Sequence, residues 1–72
     1  MKPRLEVEQI DTKTLVFRVR GGIDKSIRNQ VVLALRNKKG KIKVEGTLLE
    51  KSKAIARIMS LLKQKNSATV GF

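Results

Sequence analysis

The chain has 72 residues, with 17 Lys and Arg against 6 Asp and Glu, and it contains neither Cys nor His. This length allows one small domain, 1–72, with a thin core, because so short a chain buries only about 60% of its unfolded surface. Without Cys and His there are no disulfides, no thiolate or imidazole metal ligands and no imidazole base, so we expect no enzymatic activity, no metal and no cofactor. A second copy often completes such a core, and we expect a homodimer.

The net charge of +11 is unevenly distributed along the chain. Residues 1–12 contain two basic and three acidic side chains, a net of −1, so residues 13–72 carry +12. So many like charges repel one another in a compact fold. A polyanionic partner would neutralise them, and the charge therefore favours such a partner. A basic surface that serves only solubility is the less favoured alternative, because solubility needs far less charge.

The N-terminal part of the chain is predicted to be a β-hairpin. Apolar and polar residues alternate in two segments, residues 4–10 and residues 14–20, which is the period of a half-buried strand. The short polar segment 11–13 between them predicts a turn. In the second strand, Leu15, Phe17 and Val19 occupy one face and are expected to enter the core.

A helix, a strand and a second helix are predicted next. After Gly21-Gly22, either Asp24 or Ser26 can cap a helix, which is expected to continue to Gly40. Residues 41–45 alternate again as a strand, and Thr47-Leu-Leu-Glu50 fits a capping box that starts the second helix. The expected buried stripe of that helix consists of Leu48, Ile55, Met59 and Leu62, with Ile58 beside it. Residues 68–72 are expected to form a last short strand.

The resulting order β-β-α-β-α-β predicts an α/β or α+β domain. Strand, helix and strand in succession imply a parallel pair joined by a right-handed crossover. We therefore expect a mixed sheet with both helices packed on one face.

This order also assigns the basic residues to two ends of the domain. The glycine end, where Gly21 and Gly22 follow the second strand, is expected to hold Lys2, Arg4, Arg20, Lys25, Lys51 and Lys53 together with Asp24, Glu45 and Glu50. The opposite end, here called the turn end after the turn at residues 11–13, is expected to hold Lys13, Arg36, Lys38, Lys39, Lys41, Lys63 and Lys65. Either end is a candidate binding surface.

The kinds of residue present favour recognition of phosphates over recognition of bases. Residues 36–43 include five basic side chains and no acid, and within them we select Lys38, Lys39 and Lys41 as candidate phosphate ligands. Phe17 and Phe72 are the only aromatic residues, which is too few for the stacking surface that binds splayed bases. Contacts to the phosphates of a duplex, with little base readout, are the expected mode.

Residues 14–64 resemble the Alba superfamily, which includes the archaeal chromatin protein Alba and stage V sporulation protein S. The resemblance rests on the strand that ends at Arg20, the segment Asn29-Gln-Val-Val-Leu-Ala-Leu35, the strand Lys41-Ile-Lys-Val-Glu45 and the following Gly46, with Lys53-Ala54-Ile55 in the second helix. In this comparison residues 14–72 are the Alba-like core, and residues 1–13 add an extra N-terminal strand and turn.

The resemblance implies a dimer that binds double-stranded DNA or RNA without sequence preference. The family's basic residues in the first strand–helix loop would correspond to Arg20 and Lys25, and those around the start of the second helix would fall near Lys43, Lys51 and Lys53. The expected function is thus that of a chromatin-type or nucleoid-type protein in the cytoplasm, with no membrane partner. A regulatory module that binds an acidic protein or a ribosomal assembly is the alternative.

Overall fold

The computed structural model describes residues 2–72 as five strands and two helices. Met1, which the predicted domain includes, lies outside the described residues. The elements in chain order are β1 (Arg4–Asp11), β2 (Thr14–Arg20), α1 (Lys25–Leu35), β3 (Ile42–Val44), β4 (Thr47–Leu49), α2 (Lys51–Lys65) and β5 (Ser67–Gly71). The α+β class expected from the sequence is confirmed.

The strands of residues 2–72 form one antiparallel sheet in the order β1-β2-β5-β3-β4. The predicted mixed sheet with a parallel pair is therefore wrong. Strands β2 and β3 do run in the same direction, but β5 lies between them and is antiparallel to both. This last strand can occupy the centre because Ala68 and Val70 are both buried on one of its faces.

The predicted N-terminal hairpin is confirmed. Strands β1 and β2 pair with Val7 opposite Phe17 and Leu5 opposite Val19, so these four side chains share one face of the sheet. The pairing register shifts between Gln9 and Asp11, near the turn.

A second hairpin, which the sequence analysis did not predict, joins β3 and β4. Glu45 and Gly46 have φ values of 50° and 83°, as the two central residues of a type I′ turn require. Val44 is consequently opposite Thr47, and Ile42 is opposite Leu49. The predicted capping box at Thr47 is wrong, because Thr47 lies in a strand and Glu50, which makes no side-chain capping bond, precedes α2.

Both helices pack on the same face of the sheet, as predicted. Phe17 is 0% exposed and lies in a single buried cluster with residues of both helices. The buried helical residues are Ile27, Val31 and Leu35 of α1 and Ala54, Ile58, Leu61 and Leu62 of α2. Leu48, which was assigned to the buried helix stripe, instead lies in β4 and is 55% exposed.

Helix α1 ends at Leu35 rather than near Gly40 as predicted. The segment 36–41 contains no apolar side chain, so further helical turns would bury nothing against the sheet. The chain instead leaves the helix through hydrogen bonds between residues three apart. The N–H of Arg36 donates to the carbonyl of Leu33, and the N–H of Lys38 donates to the carbonyl of Leu35.

The cap of α1 makes part of the domain's stability dependent on pH. Asp24 accepts hydrogen bonds from the Ser26 hydroxyl and from the N–H groups of Ser26 and Ile27, and these bonds hold the pKa of Asp24 below its ordinary value of 3.8. A lowered folded-state pKa stabilises the protein above the unfolded value, and this contribution is lost as the pH falls through the folded-state pKa. In urea unfolding at pH 7 and at pH values below 3.8, we expect Asp24→Ala to be less stable than the wild type at pH 7 and the difference to shrink on acidification. A difference that stays constant or grows at low pH would contradict the role of the carboxylate.

Candidate nucleic-acid interface

The β3–β4 hairpin places the start of α2 at the turn end. Strand β3 runs away from the turn end and β4 returns to it, so α2 begins where α1 finishes. The Lys51 Nζ atom confirms this position, because it donates at 3.3 Å to the carbonyl oxygens of both Arg36 and Lys38. The predicted location of Lys51 and Lys53 at the glycine end is therefore wrong, as is that of Glu50, which directly precedes α2.

The end of α2 is correspondingly displaced to the glycine end. The carbonyl of Asn66, directly after α2, accepts from the N–H of Val19 at 3.0 Å, close to the end of β2. Lys63 and Lys65 in the last turn thus lie at the glycine end, contrary to the prediction. The basic residues at the two ends of α2 are exchanged between the ends of the domain because one additional strand, β4, reverses the chain before α2.

The turn end is the more basic of the two ends. Its eight cationic residues are Lys13, Arg36, Lys38, Lys39, Lys41, Lys43, Lys51 and Lys53. Only Asp11 and Glu50 oppose them there, which leaves a local net charge of +6 (eight minus two). Six of the eight residues selected from the sequence belong to this group.

The loop between α1 and β3 is held in place by two cations, one of its own and one from the start of α2. The Lys38 Nζ atom lies 4.3 Å from the centre of the Phe72 ring, a cation–π distance. Lys51 donates to the carbonyls of Arg36 and Lys38, directly after the C-terminus of α1, where the helix dipole favours a positive charge. Lys39 and Lys41 are exposed in the same loop and take no part in these contacts, so both side chains are available to a ligand.

Lys43 and Lys53 extend the basic surface on either side of this loop. Lys43 is exposed on the face of the sheet opposite the helices, and it pairs with Gly71 of β5. Lys53 is exposed in the first turn of α2. The surface therefore continues around the turn end from the uncovered sheet face to the helix layer.

Arg20 and Lys25 are not brought to this surface. Arg20 lies at the glycine end, where its Nε atom is 3.0 Å from a carboxylate oxygen of Glu6, and the neighbouring Arg18 is paired with Glu8 at 2.8 Å. Lys25 begins α1 at the same end, but Asp24 already accepts from the N–H groups of the first helical turn. An anion at this end would have to compete with the carboxylates of Glu6, Glu8 and Asp24 for these basic and N–H groups.

Arg36 and Lys13 belong to the basic surface but were not selected from the sequence as binding residues. Arg36 starts the acid-free segment 36–43, which was the signal that could have identified it. Lys13 is exposed in the β1–β2 turn, and its backbone carbonyl accepts from the N–H of Phe72 at 3.0 Å, which joins the turn to the C-terminal strand.

One carboxylate lies within the basic surface. The N–H of Lys13 donates to Asp11 Oδ1 at 2.8 Å, and this bond holds the pKa of Asp11 below its ordinary value of 3.8. Asp11 is therefore ionised at neutral pH and reduces the positive potential locally, next to Lys13.

The candidate interface is not a pocket. Residues 2–72 enclose no detectable pocket and contain no cluster of three or more acidic side chains that could hold a metal ion. Within the same residues, neither helix combines the length and apolar character needed to cross a lipid bilayer. An extended polyanion fits such a surface better than a small ligand does.

Comparison with known proteins returns no match, whether with family models, curated proteins or solved structures. The resemblance to the Alba superfamily therefore remains a prediction from the sequence.

Proposed function

We propose that the turn end binds the phosphate backbone of double-stranded nucleic acid without reading the base sequence. The observation that carries this proposal is the concentration of eight cations against two carboxylates on one end of a 72-residue domain. Neutralising phosphates with such side chains releases condensed counterions, which supplies most of the affinity of sequence-independent binding.

The distribution of aromatic residues supports contacts to phosphate rather than to bases. Phe17 is completely buried under the helices, and Phe72 is half-buried with Lys38 above its ring. Neither ring is presented as an open platform on which a base can stack. These positions favour a duplex over splayed single-stranded bases, and a nucleoid-type role is proposed for the case in which the duplex is DNA.

Fluorescence anisotropy tests this function directly. Labelled double-stranded DNA, double-stranded RNA and single-stranded RNA of equal length are titrated with the protein over a series of salt concentrations. We expect similar affinities for several duplex sequences and a log–log slope against salt of about −4 or steeper.

Two results would contradict the proposal. Absence of binding to all three nucleic acids at ~50 mM salt, where phosphate contacts are strongest, would reject it outright. Binding that depends strongly on sequence but little on salt would reject the phosphate mechanism. If no nucleic acid binds, the alternative of an acidic protein partner becomes the better explanation of the charge.

A further inference from the structure

The two edges of the sheet differ greatly in length. Edge strand β1 has eight residues, whereas β4 at the other edge has three. A long edge strand presents unpaired N–H and C=O groups on which another strand can add, and proteins normally shorten or cover such edges. The β1 edge is thus the place where the fold most readily accepts a further strand.

The hydrogen-bond pattern shows which groups of β1 are available. The N–H of Val19 donates to Asn66, on the β5 side of β2, so the opposing Leu5 belongs to a pair without mutual hydrogen bonds. By alternation, the N–H and C=O groups of Leu5, Val7 and Gln9 point outward from the sheet. The N–H of Leu5 is taken by the Gln30 side chain at 3.2 Å, which leaves the N–H groups of Val7 and Gln9 free for a partner strand.

Exposed apolar side chains line the same edge. Val7 is 47% exposed although it lies on the helix-covered face of the sheet. Leu33 is 57% exposed and lies one helical turn after Gln30, the α1 residue whose side chain bonds to β1. Single exposed aliphatic residues are common, but two of them beside unpaired backbone groups mark a surface suited to association.

The charge distribution selects a second copy of the chain as the partner. Two molecules that each carry +11 repel one another over most of their surfaces. Residues 1–12 carry a net charge of −1, and the carboxylates of Glu6 and Glu8 are paired with Arg20 and Arg18. The β1 edge is therefore where two copies approach at the lowest electrostatic cost, whereas the β4 edge is flanked by Lys43 and Lys51.

We propose that the β1 edge, with Val7 and Leu33 beside it, pairs antiparallel with the β1 edge of a second copy to form a continuous sheet of ten strands, five from each chain. In the register centred on Val7, each Val7 exchanges hydrogen bonds with the partner's Val7, and the N–H of Gln9 meets the carbonyl of the partner's Leu5. This register uses both free N–H groups of each chain. In a two-fold dimer the β1 edges of both copies are paired with each other. No long edge is left for a third copy, so association stops at the dimer.

Sedimentation equilibrium of the full chain without nucleic acid tests the interface. Salt of ~0.3 M screens the repulsion between copies, and interference optics replace absorbance because the chain lacks Trp and Tyr. For the wild type we expect twice the chain mass of 8.1 kDa. Val7→Lys places a charge at the centre of the paired edge and is expected to weaken association at least ~100-fold.

Leu48→Lys is the matched control, because it makes the same kind of change at an exposed aliphatic residue of the opposite edge strand. It is expected to remain dimeric. Leu33→Lys, on the helix surface, is expected to weaken association without altering any strand. Far-UV circular dichroism establishes that each variant is folded.

A wild type that stays monomeric at ~100 μM would overturn the proposal, as would a dimer that survives both Val7→Lys and Leu33→Lys. Equal weakening by Leu48→Lys would also overturn it, because the interface would then not be specific to β1. Since no nucleic acid is present, these results are independent of the anisotropy experiment, and either proposal can fail alone.

Discussion

Replacement of Lys38, Lys39 and Lys41 together by Glu is expected to weaken binding to duplex nucleic acid by about 100-fold or more at ~0.1 M salt. Three phosphate contacts are lost and three repulsive charges take their place. Each lost contact also removes about one unit from the log–log salt slope, so the slope should become shallower by about three. Fluorescence anisotropy over a salt series measures both quantities on the same samples.

A variant with the same net charge provides the control. Replacing Lys25, Lys63 and Lys65 by Glu also lowers the net charge from +11 to +5, since each change removes two units, but it alters the glycine end. We expect this variant to lose about 10-fold in affinity or less, through the weaker general field alone. Equal losses in the two variants would contradict a localised site at the turn end and would indicate that only total charge matters.

The Phe17→Ala variant is expected to lose most of the stability of the domain. Phe17 is 0% exposed and packs in the cluster that joins both helices to the sheet. Removing a buried Phe side chain costs about 3–5 kcal/mol, while stability of about 0.05–0.15 kcal/mol per residue gives a chain of this size roughly 4–11 kcal/mol in all. Urea unfolding followed by far-UV circular dichroism should show a midpoint shifted far towards zero denaturant, or no cooperative transition.

Val16→Ala is the control for this prediction. Val16 is the neighbouring residue on β2, but it lies on the face of the sheet that the helices do not cover, where it is half-buried. Its truncation is expected to cost about 1 kcal/mol or less. If both variants were equally stable, the helices could not be packed on the face that contains Phe17.

The successful structural predictions are those that depend on short stretches of sequence. The β1–β2 hairpin follows from alternation over residues 4–20, and the start of α1 follows from the two possible cap residues before an apolar repeat, of which Asp24 is the cap. The basic segment 36–43 was likewise recognised without coordinates. In each case the residues that determine the feature lie within a few positions of one another, so no knowledge of distant parts of the chain is needed.

Strand β4 shows where such reasoning fails. Thr47-Leu-Leu-Glu50 satisfies the pattern of a helix cap, and three residues are too few for alternation to predict a strand. The segment becomes a strand because the Glu45-Gly46 turn returns it to β3, where Thr47 and Leu49 pair with Val44 and Ile42. Tertiary pairing overrides a plausible local pattern here.

Because β4 was not predicted, the basic residues of α2 were also assigned to the wrong ends of the domain. Without it, Lys51 and Lys53 were assigned to the glycine end and Lys63 and Lys65 to the turn end, and the actual arrangement is the reverse. The charged residues of the β1–β2 hairpin are a second example of a feature that only the folded structure decides. The sequence shows acidic and basic residues in two neighbouring strands, but only the folded register decides that Arg20 pairs with Glu6 and Arg18 pairs with Glu8.

Composition and local periodicity were thus sufficient to predict the α+β class, the β1–β2 hairpin, the two helices and the strong positive charge. These are properties of the residues themselves or of segments shorter than a helix. The insertion of β5 between β2 and β3, the end at which α2 begins and the free edge of β1 were decided by pairing between segments far apart in the chain. Such pairing depends on which apolar faces can be buried together, and that is settled only when the whole sheet and both helices are assembled.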